Sequence, residues 1–186
     1  IEMWPDVGDQ IRRRTGQNWD LLVGEAAGDV RPAGDPPDST EALQSLERIG
    51  PAHAYAFKLR GEHWYRMMAV CDFIVLPVTD ETRSEVLARI IALNKPFITS
   101  APQEGPTAQT LESGGGMLFA SDRMLADAVI QLACDEPLRL RLGNQLKEYL
   151  DHVVSWDLVA GQYNAAYALA RNAKLTGVAA DLSKTP

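Results

Sequence analysis

Thr82-Arg83-Ser84-Glu85 is the stretch of this sequence best equipped for chemistry. It fits a capping box, with Thr82 as the N-cap of a helix and Glu85 at the third helical position. The amides left open at such a helix start carry partial positive charge and bind oxyanions. Arg83 adds a full positive charge beside them, and Glu81 stands just outside with oxygens that accept from hydroxyl groups. The plainer reading is an ordinary capped helix with a solvated arginine and an exposed loop carboxylate. Arg89 lies four residues after Glu85, the favourable order for an ion pair on one helix face.

Other chemistries lack their residues. His53, His63 and His152 have no ligand spacing, and there is no CxxC, HExxH or acidic metal loop, so no metal is expected. Cys71 and Cys134 sit in separate apolar segments and read as two buried thiols of a reducing compartment. No GxGxxG follows an early strand, which argues against a dehydrogenase. The net charge is −7, from 18 basic and 25 acidic residues, so nucleic acid is a poor partner. No stretch approaches the ~20 apolar residues of a membrane span. The chain starts at Ile1 with no signal peptide after it, as expected of a processed or trimmed polypeptide.

The elements that would carry Glu81 to Glu85 alternate in type. Pro5 to Thr15 reads as a helix ending in a solvated Arg12-Arg13-Arg14 run, and Trp19 to Gly24 as a short buried strand. A Gly, Pro and Asp-rich loop covers Gly28 to Ser39, followed by a short helix, Glu41 to Ile49. A strand at Ala52 to Phe57, a helix at Glu62 to Val70 and a strand at Phe73 to Leu76 come next. A helix over Glu85 to Leu93 leads into a strand at Phe97 to Ser100, then a polar loop with Pro102, Gly105 and Pro106. The strand Met117 to Phe119 precedes three helices: Arg123 to Cys134, Pro137 to Leu150 and Trp156 to about Lys174. Pro137, Leu138, Leu140 and Leu142 are expected to pack, and Trp156, Val159, Tyr163, Tyr167 and Ala170 form a helical stripe expected to face a core. The alternation predicts an α/β fold with a doubly wound parallel sheet, whose ligands bind at the carboxyl ends of the strands. The loops after Phe57, Pro77 and Ser100 are therefore the ones to inspect.

The run CDFIVLPVTDETRSEVLARIIALNKPFITS resembles the donor-site signature of group-1 retaining glycosyltransferases with the GT-B fold. Cys71-Asp72, Leu76-Pro77, Glu81 and Lys95-Pro96 fall in the family's register without gaps. Gly114-Gly115-Gly116-Met117-Leu118-Phe119 and the segment from Ala126 to Ala170, with its Ser155-Trp156 turn, continue the likeness, which spans roughly Trp19 to Ala170. The pattern is not complete. Thr82-Arg83-Ser84 replaces Gly-Phe-Gly, Val78 a serine and Asn94 a common glycine. Arg89 stands where the family has a second glutamate, and Pro102 to Gly105 replaces a glycine pair, with Gln109 near the usual acidic position.

The resemblance implies the C-terminal, donor-binding half of a GT-B enzyme, Rossmann-like, with a last helix packing back. It would span residues 1–174, lacking its first strand and preceding a frayed tail at 175–186. Such a domain binds a nucleotide-diphosphate sugar and transfers the sugar with retention and without a metal or other cofactor. The acceptor-binding N-terminal domain would be missing, leaving this fragment alone inactive. The resemblance assigns donor-sugar hydroxyls to Glu81 and the base-binding wall to Lys58 and Leu59, and the capped helix start would offer Thr82, Arg83 and Ser84 to the donor's diphosphate. Arg89 has only donors and cannot accept from a ribose hydroxyl. It could pair with Glu85 outside the site, bind an extra anionic donor group, or mark a degenerate, non-catalytic domain that serves as a structural or regulatory partner. A nucleoside-processing α/β domain shares the run around Glu81 but not the pattern from Pro137 to Trp156. The expected location is cytoplasmic, with any membrane contact made through the missing domain.

Overall fold

Trp4, Val7 and Ile11 recur at helical spacing and are buried on one face of helix α1, Trp4–Thr15. Pro5 sits in its first turn, where a missing N–H costs nothing, and Gly16 ends it in the left-handed conformation at φ 73°. Arg12, Arg13 and Arg14 are exposed, as expected, and Arg12 pairs with Asp9 at 2.8 Å. The computed structural model describes residues 3–24, 47–48, 54–57, 62–78, 84–102 and 104–176. The chain divides into two units, Ile1–Leu146 and Lys147–Pro186.

The first unit is α/β, with two three-stranded sheets. Strands β1 (Leu21–Gly24), β2 (Glu47–Arg48) and β3 (Ala54–Phe57) are ordered β1-β3-β2, with β1 and β3 parallel. Helix α2 (Glu62–Val70) leads to strand β4 (Ile74–Leu76), and helix α3 (Glu85–Ala92) leads to strand β5 (Phe97–Ser100). Helix α4 (Glu104–Ser113) precedes strand β6 (Gly116–Phe119), and β4-β5-β6 is parallel throughout. Helices α5 (Asp122–Cys134) and α6 (Glu136–His152) follow. Parallel strands linked through helices make the Rossmann-like α/β class that the alternation predicts.

The core of this unit joins Trp4, Val7 and Ile11 of α1, Ile98 of β5, the buried face of α5 and Leu138 and Leu142 of α6. Arg139 ties α6 to α5 by donating to the carbonyls of Leu132 at 2.5 Å and Ala133 at 3.1 Å, and its guanidinium lies 5.3 Å from the Trp19 ring centre. Asn94 adopts φ 53°, a left-handed conformation that asparagine tolerates better than most residues. Gly115 and Gly116 are required by close approach: a methyl group on Gly115 would run into Leu146, and one on Gly116 into Phe97.

Several expectations need correction. Residues 104–113 form a helix, not a polar loop. Pro106 lies in its first turn and is buried, with Thr110 and Ser113, so the helix packs through small and polar residues and carries no apolar stripe. Glu47–Arg48 is strand, antiparallel to β3, where a helix from Glu41 to Ile49 was expected, so pairing with Tyr55 and Ala56 overrides local propensity. Positions 41–46 of that helix lie outside the described residues. Leu138 and Leu142 are buried, but Leu140 and Pro137 are exposed. Cys134 is exposed and Cys71 only half-buried, so the two thiols are not both core residues.

The second unit contains helix α7, Trp156–Thr176. Ser155 caps it by accepting from the Leu158 amide at 3.3 Å. Its aromatic stripe is exposed, with Trp156 at 87%, and Tyr163 and Tyr167 meet each other at 6.1 Å. The expected burial of that stripe is therefore not observed within the unit.

Candidate functional site

Pro77 ends β4 because it has no N–H to continue the ladder. Pairing between β4 and β5 stops at Leu76 and Thr99, and the next positions would be Pro77 and Ser100. Side chains take over from there. The fully buried Thr99 hydroxyl donates to the Leu76 carbonyl at 3.0 Å. Ser100 accepts from the Val78 amide at 2.8 Å and donates to the Val78 carbonyl in a close contact. On the other side of β5, the Ala101 amide donates to Phe119 at 2.7 Å. The carboxyl edge of β4-β5-β6 is thus stitched on both sides of its central strand.

Helix starts gather at this edge. After Ala92, α3 turns through only a few residues into the amino end of β5, so its own first turn lies towards the carboxyl ends. Helix α4 begins at Glu104, shortly after Ser100, and α5 at Asp122, shortly after Phe119. Ser121 caps α5 by accepting from the Met124 amide at 3.3 Å. Free amides and helix dipoles at one sheet edge favour an anionic ligand. Glu85, Glu104 and Asp122 in the first turns are exposed and also complement the dipoles.

The capping expectation changes in detail. Ser84, not Thr82, is the N-cap of α3: its backbone is extended and its hydroxyl accepts from the Leu87 amide at 3.2 Å. Leu87, Ile90 and Ile91 are buried, so the helix starts where its apolar face first needs to dock, and Glu85 falls at its first position. Ser84 itself is buried, at 5% exposure. Glu81, Thr82 and Arg83 lie outside the described residues, as do Lys58 and Leu59. Arg89 is described. Its guanidinium meets Glu85 at 3.4 Å and lies 5.1 Å from the centre of the Tyr65 ring. These contacts match the ion-pair reading of Arg89. Of the predicted site residues, the structure therefore locates Ser84 and Arg89, on the first two turns of one helix.

Ser100 and Thr99 were not singled out from sequence. Their roles depend on strand register, which no local pattern reveals. Gln109 on α4 carries a buried Oε1 that lacks a hydrogen-bond partner. Burial pushes the Cys71 thiol above its ordinary 9.0, partly offset by Lys95 and reinforced by Asp72. This thiol lies at the start of β4, the opposite end of the strand from the stitched edge. Among the described residues, no group of three His, Cys, Asp or Glu side chains is placed to hold a metal ion, and no helix is long and apolar enough to cross a membrane.

No protein-family model and no curated protein matches the chain. Among solved structures it is similar to the crystal structure of WaaG, a glycosyltransferase involved in lipopolysaccharide biosynthesis. The TM-score is 0.54 at 20% identity, over 81% of this chain and 48% of that one. The chain thus spans about half the length of this neighbour. At this identity the likeness establishes the fold: the α/β architecture described above is one that a known glycosyltransferase uses for about half of its chain.

Proposed function

We propose that this chain is the donor-binding, C-terminal half of a GT-B-type glycosyltransferase, and that it binds a nucleotide-diphosphate sugar at the carboxyl edge of β4-β5-β6. The observation that carries this reading is the convergence of helix starts on one stitched sheet edge, in a fold similar to half of WaaG. A diphosphate leaving group needs stabilised negative charge, and helix amides with a nearby cation supply it without a metal. Arg83 is the cation in this reading, with backbone amides from Thr82 to Ser84 beside it. Glu81 accepts from hydroxyls of the donor sugar. Lys58 and Leu59, which follow β3, flank the base. The Ser84 hydroxyl is used by its own helix, so its contribution to the ligand is through the backbone. The chemistry is retaining transfer to an acceptor held by another domain, in a cytoplasmic enzyme.

Calorimetric titration of the 186-residue chain with UDP, GDP and their sugar conjugates, in the presence of a chelator, tests the reading. Binding that survives chelation and weakens in Arg83→Ala supports it. If no nucleotide binds, the donor-site proposal fails and the non-catalytic alternative takes its place.

A further inference from the structure

We infer that Ser100 is a positioning residue for the donor-contact segment, an inference that rests on the nucleotide-binding reading above. One hydroxyl satisfies both backbone polar groups of Val78, a residue 22 positions earlier in the chain. Val78 is buried, at 6% exposure, where an amide and a carbonyl without partners would be costly. Pro77 is the reason a side chain is needed. The β4–β5 ladder ends at Leu76 and Thr99, and proline has no N–H with which to extend it. Ser100 carries the tie past the proline and fixes the direction in which the chain leaves the sheet.

The position of this tie in sequence gives it a function. Val78 immediately precedes positions 79–83, which contain Glu81, Thr82 and Arg83. Ser84 immediately follows them, buried, with its hydroxyl committed to the Leu87 amide. Two serine hydroxyls, one half-buried at Ser100 and one buried at Ser84, therefore hold the residues on either side of the proposed donor contacts. The entry side is anchored to β5, which pairs with strands on both of its edges. Ligand contacts of this kind depend on placement to within about 1 Å. Ser100 acts through Val78 and has no contact with the donor in this account.

The test compares UDP and GDP titrations of the 186-residue chain with those of Ser100→Ala, Ser100→Thr and Ile130→Val. Ile130 is a buried residue of α5 and controls for a loss of stability alone. If the wild-type chain binds a nucleotide, Ser100→Ala should weaken binding about tenfold, the effect of about 1.4 kcal/mol. Ser100→Thr, which keeps the hydroxyl, should restore affinity to within about twofold, and Ile130→Val should leave it unchanged. Unchanged affinity in Ser100→Ala overturns the inference while leaving the nucleotide reading intact. Absence of binding by the wild-type chain overturns the nucleotide reading itself. If Ser100→Ala does not fold, amide exchange at Val78 in the wild-type chain decides the matter. Slow exchange that slows further with nucleotide supports the clasp, and rapid exchange overturns it.

Discussion

Replacing Gly116 by alanine would place a methyl group 2.5 Å from Cζ and 2.8 Å from Cδ2 of Phe97, and closer still to Cε2. Gly116 has no positive φ among the backbone angles of the described glycines, so alanine is not excluded by backbone conformation. By itself, removing a glycine would stabilise by about 0.4–1 kcal/mol through the unfolded chain. The steric term opposes this and should win. Phe97 is fully buried and sits directly opposite Gly116 on the central strand, so the ring has no route to solvent. Overpacking of this kind costs about 1–3 kcal/mol, and three close ring atoms place this case at the upper end. A net loss of about 2 kcal/mol corresponds to a fall of roughly 4–8 °C in melting temperature for a domain of this size. Thermal unfolding by circular dichroism measures it. Phe97→Leu removes Cε2 and Cζ, so the double variant should be more stable than the sum of the two single changes by about 1–3 kcal/mol. A melting temperature for Gly116→Ala within 1 °C of wild type, or above it, would refute the close-approach argument.

Three further perturbations follow from the described contacts. Arg139→Ala strands the Leu132 and Ala133 carbonyls and loses the stacking on Trp19, and urea titration should show a loss of about 1.5–3 kcal/mol. Arg139→Lys should recover only part of it, since an ammonium cannot reproduce the planar fork. Arg89→Ala removes exposed contacts with Glu85 and Tyr65, so it should cost only about 0.5–1 kcal/mol and leave nucleotide affinity unchanged. A tenfold loss of affinity would instead put Arg89 in the donor site. For Cys71 the folded thiol titrates above 9.0, so unfolding releases a proton at alkaline pH. Stability present below the unfolded value is lost as pH rises through the folded one, and urea midpoints at pH 8 and pH 10 should show the decline. A thiol reagent at pH 8 should modify the exposed Cys134 before Cys71, and the reverse order would contradict the burial of Cys71.

The fold was most legible where burial writes a periodic signal. The apolar run at Phe97 to Ser100 lies in the central strand, and the face of Leu87, Ile90 and Ile91 docks as its spacing predicts. Helix α4 was hidden because its buried residues are Pro106, Thr110 and Ser113, which no hydrophobic period marks. Glu47 and Arg48 join a sheet through a distant partner, and local sequence carries no sign of it. The stripe on α7 shows the converse problem: regular aromatic spacing gave the helix correctly but not the surroundings of Trp156. At the candidate site, Glu85 to Arg89 was legible as an ion pair because it is local, four residues on one helix. The Ser84 cap was missed in favour of Thr82 because both are good capping residues, and docking of Leu87 chose between them. The Ser100 clasp needs the register of β4 against β5 and could not be read from either strand alone.

The most direct test of the central claim is calorimetric titration of the 186-residue chain and its Glu81→Ala variant with UDP, GDP and their sugar conjugates. The account predicts that a nucleotide sugar binds the wild-type chain, and that Glu81→Ala weakens that binding while leaving the melting temperature unchanged. Binding that is the same in both proteins would move the sugar contact away from Glu81. Absence of binding by the wild-type chain to every nucleotide tested would contradict a donor site on this sheet edge.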